Sequence, residues 1–134
     1  MSRDALVVGI NTYTDVSLPN LTAPSEDAEA IAQILERDGE FRVTRLPAVK
    51  DKQNEAVRVG KKTQVSLKAL EDAIVQLFKP DSKQIPDTAL LYFSGHGLRK
   101  NRGISEGFLA SSDTNPDAGN WGLSMQWLRR LLQE

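Results

Sequence analysis

The stretch Thr88-Ala-Leu-Leu-Tyr-Phe-Ser-Gly-His-Gly97 (TALLYFSGHG) decides the fold. Its opening residues form an apolar run without polar alternation, which marks a strand buried on both faces, as in parallel sheets. Ser94 and Gly95 end the run and leave His96 three residues past Phe93. A second run of this kind, Ala5-Leu-Val-Val-Gly-Ile10, lies near the start of the chain. Phe41-Arg-Val-Thr-Arg-Leu46 alternates and reads as a further strand.

Amphipathic segments separate these strands. Ala28, Ile31, Ala32, Ile34 and Leu35 share one face at helical spacing. Ser25 is the expected N-cap, with Glu26 and Asp27 in the first turn, where the helix dipole favours acids. Gly39 ends that helix. Leu67, Leu70, Ile74, Leu77 and Phe78 form a second stripe, capped by Ser66, with Val65 stapling onto Leu70. Pro80 and Pro86 bracket its exit. Residues 47–64 are polar and read as a long loop. Leu98 to Ser105 reads as a basic segment, Gly107 to Ser111 as a short strand and Asp113 to Gly122 as turns. A last helix, capped by Ser124, carries Trp127, Leu128, Leu131 and Leu132. Strands alternating with helices predict an α/β domain with a mostly parallel sheet, helices on both faces and right-handed crossovers. A helix with two Leu at its end leads into another strand, so the domain is expected to be incomplete at Glu134.

Composition bounds the function. A chain of 134 residues, 40% hydrophobic and 26% charged, is one globular domain rather than a disordered segment. Seventeen Lys and Arg against eighteen Asp and Glu leave a net charge of −1, which argues against a nucleic-acid partner. No cysteine is present, which excludes disulfides, thiolate metal sites and a thiol nucleophile within these residues. A single histidine excludes a multi-His metal site. No apolar run is long enough to cross a membrane and no signal-peptide pattern precedes the first strand, so a cytoplasmic protein is expected.

Ligands of parallel α/β sheets bind beyond the carboxyl ends of the strands, which puts His96 at that rim, with Asp27 at the start of a helix that begins there. His96 reads either as a turn histidine or as a general base, since a neutral imidazole takes a proton at neutral pH. Gly95 and Gly97 allow close approach of the backbone to a substrate, and the Gly97 amide can donate to an oxyanion. Asp27 reads as a helix acid or as a counter-charge for a basic side chain. Ser94 reads as a turn hydroxyl, because two residues from His96 it is badly placed as that imidazole's nucleophile. Asp113 and Asp117 fall far short of the six to eight oxygens of a calcium cage, so no metal or other cofactor is assigned. No GxxxxGK[ST] phosphate loop occurs, which counts against a nucleotide-binding domain.

Taken together the segments resemble the caspase-like cysteine peptidases (peptidase C14 type), and among them the metacaspase and orthocaspase branch. The matching pieces are Leu6-Val-Val-Gly-Ile-Asn-Thr-Tyr13, Leu21-Thr-Ala-Pro-Ser-Glu-Asp-Ala28, Leu90-Leu-Tyr-Phe-Ser-Gly-His-Gly97 and Gly107-Phe-Leu-Ala-Ser-Ser-Asp113. The resemblance implies a caspase-like three-layer αβα sandwich, of which residues 1–134 form the N-terminal (p20-like) part. It implies a Cys–His dyad in which His96 assists the thiolate and protonates the leaving amine, with Gly97 in the oxyanion hole. Asp27 and Ser94 match positions lining the pocket for Arg or Lys before the cleaved bond, so peptides and proteins with those residues are the implied substrates. Pro24 departs from the small or Cys residue often found beside that pocket. The family's Cys follows the His by roughly 50 residues, a distance that runs past Glu134. The thiol is therefore expected from a later segment or from a second chain, and the 134 residues alone are expected to be inactive. A non-catalytic caspase-like module that scaffolds partners is the competing reading. The basic stretches Arg58 to Lys62 and Arg99 to Arg102 are candidate self-cleavage sites by composition.

Overall fold

The computed structural model describes residues 2–81 and 85–134. Strand β1 (Arg3–Gly9) is the hub. Helix α1 (Ala23–Arg37) leads into β2 (Arg42–Leu46), followed by β3 (Ala48–Lys50), β4 (Val57–Val59), α2 (Leu67–Phe78) and β5 (Thr88–Ser94). Strands β6 (Gly97–Arg102), β7 (Ile104–Leu109) and β8 (Leu123–Ser124) precede α3 (Met125–Gln133). The central sheet has the order β2-β1-β5, and both pairings are parallel. The expected parallel sheet is therefore present, with β1 buried between its neighbours; β5, expected to be buried on both faces, is instead half-buried, because it lies at the edge of the order with only β1 beside it.

Alternate residues of β1 point to opposite faces, and the two faces carry different helices. Leu6, Val8 and Ile10 join one cluster with Leu70, Ile74 and Leu77 of α2 and with Leu128 of α3. Val7 joins Ala28 and Ala32 of α1. The α1 side is packed close: a Cβ on Gly9 would lie 2.5 Å from the Pro24 carbonyl oxygen and 2.8 Å from the Ala28 Cβ. Ser66 and Ser124 cap α2 and α3 as expected, their Oγ accepting from the Ala69 and Trp127 amides.

Three further expectations are corrected. The first concerns Ser25, which is not a cap. Helix α1 starts at Ala23 after Thr22, and Ser25 is buried inside the first turn. Its orphan N–H is met from outside the helix, by Asn11 Oδ1 at 3.0 Å, and Asn11 Nδ2 donates to Ser25 Oγ at 2.8 Å. Glu26 is then the first-turn acid and Asp27 begins the second turn. The second correction is that residues 47–64 hold the antiparallel hairpin β3–β4, with Val59 fully buried. Strands of three residues containing Lys50 and Arg58 are too short and too charged to register as alternation. The third is that the basic segment after His96 is strand β6, paired along its length with β7 from Gly97↔Leu109 to Arg102↔Ile104. Arg99 and Arg102 are thus held in a ladder, whereas a peptidase needs unpaired chain. Lys61 and Lys62 lie in an exposed bend and are the more accessible of the two candidate cleavage sites.

An ion network around one buried guanidinium fastens α1 to β2 and β4. Arg45 is 8% exposed. Its guanidinium donates to both Glu29 oxygens at 3.0 and 3.1 Å and to both Glu36 oxygens at 3.0 and 2.8 Å. Glu29 Oε1 also accepts from the Val59 amide at 2.7 Å. Burial pushes the Glu29 carboxyl up, but the Arg45, Val59 and Gln33 hydrogen bonds and the Arg45 charge together hold it below its ordinary range. Glu36 is lowered chiefly by its hydrogen bond to Arg45.

Candidate active site

Strands β1 and β5 end side by side, with Gly9 opposite Ser94, and Ile10 N–H donates to Ser94 O at 3.0 Å. Gly95 then takes the chain off the sheet. The imidazole Nε2 of His96 lies 2.8 Å from the Pro19 carbonyl oxygen. A carbonyl can only accept, so Nε2 carries the hydrogen and the neutral ring keeps its lone pair on Nδ1. This tautomer leaves Nδ1 free to accept a proton.

The main chain of His96 is held on both sides. Its carbonyl accepts from Ala110 N–H at 2.9 Å. Its N–H donates to the Tyr13 hydroxyl at 2.9 Å, and that hydroxyl donates to Ile10 O at 3.0 Å. The Tyr13 ring meets the imidazole edge-on, with centroids 4.7 Å apart and planes at 65°. Burial raises the Tyr13 phenol above its ordinary value, with the His96 amide opposing the shift, so the hydroxyl stays a donor. Gly95 is glycine for a steric reason: a Cβ there would lie 2.6 Å from the Tyr13 hydroxyl.

Gly97 opens β6. The bond from Ala110 N–H to His96 O makes that pair a hydrogen-bonded position. By the alternation of an antiparallel ladder, Gly97↔Leu109 is then a non-bonded pair, and the Gly97 N–H points away from β7. An outward amide beside an imidazole with a free lone pair can take up developing oxyanion charge. Ser94 is half-buried at the end of β5, and Asp27 is exposed on α1, whose start is fixed against the end of β1 by Asn11. Among the described residues, no hydrogen bond or ion pair engages the Asp27 carboxylate or Ser94 Oγ, and none links either to His96. The structure thus gathers Ser94, His96 and Gly97 into one turn and sets Asp27 on the neighbouring helix.

A seryl cluster braces the site from below. Ser111, Ser112 and Thr114 are buried. Ser112 exchanges bonds with Val65 through its Oγ, at 2.8 Å, and its N–H, at 2.7 Å, while its carbonyl accepts from the Thr14 amide at 3.0 Å. Asp113 Oδ1 accepts from Ser111 Oγ at 2.6 Å and from the Leu67 amide at 3.0 Å. That carboxylate is engaged in structure. Among the described residues, no group of three or more His, Cys, Asp or Glu is placed to hold a metal ion, and no helix is long and apolar enough to cross a membrane.

Sequence reasoning missed Tyr13, Pro19 and Asn11. Pro19 acts through a main-chain oxygen, which leaves no trace in residue type. Asn11 in a polar loop carries no signal that it caps a helix fourteen positions away. Tyr13 had one: an aromatic in a polar loop needs a core to enter.

A family model described as Caspase domain matches residues 2–127. No curated protein matches the chain, and no solved structure does.

Proposed function

The chain belongs to the caspase domain family of cysteine peptidases, and from that premise we propose that it supplies the histidine half of an endopeptidase of the metacaspase and orthocaspase branch that cleaves after Arg or Lys. None of the 134 residues is Cys, so the thiol comes from polypeptide outside them, and these residues act as the N-terminal (p20-like) part of a three-layer peptidase domain. His96 Nδ1 takes the thiol proton. The thiolate attacks the carbonyl carbon, and the oxygen, now negative, accepts from the Gly97 amide. The imidazolium returns the proton to the leaving amine, and water then hydrolyses the acyl-enzyme.

The observation that carries this reading is the 2.8 Å contact between His96 Nε2 and the Pro19 carbonyl, which fixes the tautomer with its lone pair on Nδ1. A second feature agrees with it. Strand β5 is the terminal strand of the order β2-β1-β5, and its apolar residues are half-buried. A parallel strand added there ends about 5 Å to the side of Ser94, which suits a nucleophile carried at its carboxyl end. Exposed Asp27, with Ser94, supplies the pocket for the substrate cation.

The test uses the complete protein and a fluorogenic peptide ending in Arg. His96→Ala is expected to abolish cleavage. Asp27→Ala is expected to lower kcat/KM for Arg and Lys peptides, because it removes an attraction to the substrate cation. Full activity in both variants would overturn the assignment.

A further inference from the structure

The β1–β5 ladder breaks its own pattern at the site. In a parallel pair, a residue donates its N–H to one partner carbonyl and accepts from the N–H two residues further along the partner strand. Ile10 N–H donates to Ser94 O. The next rung would therefore run from His96 N–H to Ile10 O. The structure does not make that rung. His96 N–H donates instead to the Tyr13 hydroxyl, and the hydroxyl donates on to Ile10 O. A side-chain oxygen has been spliced into a backbone ladder at the residue that carries the imidazole.

We infer that Tyr13 is a positioning residue for His96: its hydroxyl holds the two strand ends one oxygen apart, so that the imidazole leaves the sheet at the point where Pro19 O meets Nε2. This rests on the reading of His96 as the catalytic base. The hydroxyl has one hydrogen and two lone pairs. The hydrogen goes to Ile10 O, and one lone pair receives the His96 amide. Tyr13 is 8% exposed and its ring lies edge-on to the imidazole, so backbone and ring of His96 are located by the same residue. Tyr13 is itself pinned, with its N–H on Asn20 Oδ1 at 2.9 Å and the next amide, Thr14 N–H, on Ser112 O. Gly95 completes the fit, because any side chain there would displace the hydroxyl.

Tyr13→Phe keeps the ring and deletes the oxygen. The strand ends then either close to form the direct rung, carrying His96 with them, or leave a donor and an acceptor unmet. A shift of about 1 Å at a catalytic group costs about 10²-fold in rate. In the complete protein, Tyr13→Phe should therefore lower kcat for the Arg peptide by about 10²-fold and leave KM within about twofold, because the substrate cation is bound elsewhere. Thr14→Val is the control: it deletes a hydroxyl of the same loop that is bonded to Ser112 O, and it should leave kcat unchanged. A readout that needs no turnover accompanies these. NMR of the complete protein, with His96→Ala used for assignment, should show in Tyr13→Phe a loss of the pure Nε2–H tautomer and a changed environment of the His96 amide: a shifted resonance if the direct rung closes, faster exchange if the amide is left unmet. If wild type cleaves no Arg or Lys peptide, the peptidase reading fails while the NMR arm still decides the role of the hydroxyl. If Tyr13→Phe leaves the His96 amide resonance and exchange, the tautomer and kcat as in wild type, or if Thr14→Val lowers kcat equally, the inference is wrong.

Discussion

Replacing Arg45 by Met removes the cation from a half-buried carboxylate while keeping an apolar stem of similar length. The Glu29 side chain is 12% exposed and that of Glu36 is 43% exposed, so the two acids respond differently. Glu36 turns to water, and its lost pair contributes about 0–1 kcal/mol. Glu29 keeps the Val59 amide but cannot rehydrate, and breaking such a pair from one side costs about 3–5 kcal/mol. With a urea m-value of about 2 kcal/mol/M for a small domain, the unfolding midpoint should fall by about 2 M at pH 7. The pH dependence carries the sign. In the native chain both carboxyls lie below their ordinary 4.5, so their contribution is fully present above that value and is lost as pH falls through the lower folded-state values. In Arg45→Met, Glu29 is buried without a counter-charge and its carboxyl is raised. Its penalty is therefore full at neutral pH and is relieved as pH falls through the raised value. The gap between variant and native protein must narrow between pH 7 and pH 4. Glu29→Gln combined with Arg45→Met should recover most of the loss at pH 7. Urea titrations followed by far-UV circular dichroism at both pH values decide it. A midpoint shift under about 0.3 M at pH 7, against the m-value used here, or a gap of equal size at both pH values, would refute the reasoning.

Gly9→Ala drives a methyl to 2.5 Å from the Pro24 carbonyl. It should cost about 1–3 kcal/mol as an overpacked contact, seen as a lowered Tm. Asn11→Ala strands the buried Ser25 N–H and should destabilise by about 1–3 kcal/mol. Ser25→Ala, which leaves the amide bonded to Asn11 Oδ1, should cost less. Equal losses in these two variants would show that the side-chain bond, and not the capping of the amide, dominates.

The parallel sheet was legible because β1 and β5 are continuous apolar runs, although only β1 is buried on both faces and β5, at the edge, is half-buried. Helices α2 and α3 were legible for a similar reason, since Ser66 and Ser124 stand directly before apolar stripes. The start of α1 was misread because Ser25 has the residue type of a cap while the cap atom belongs to Asn11, a contact made only once β1 and α1 dock. Strands β3, β4 and β6 were missed because they are short or charged, and their pairing is set by hairpin geometry rather than by alternation. At the site, His96 and Gly97 stood out as a turn after an apolar strand. What orients the imidazole is a main-chain oxygen of Pro19 and the far end of Tyr13, and neither relation exists before the chain folds.

The loop from Asn11 to Leu21 is tied at Leu21 N–H to Asn11 O, at Tyr13 N–H to Asn20, at Thr14 N–H to Ser112 and at Leu18 N–H to Asp15. Fixing one residue's backbone costs about 1–2 kcal/mol of entropy, and here that cost is met by the domain's own folding. The imidazole is consequently oriented by the domain's own fold. On the proposed reading, a segment that brings the thiol would meet a surface already set, and the geometry around Pro19, Tyr13 and His96 should superimpose before and after it docks.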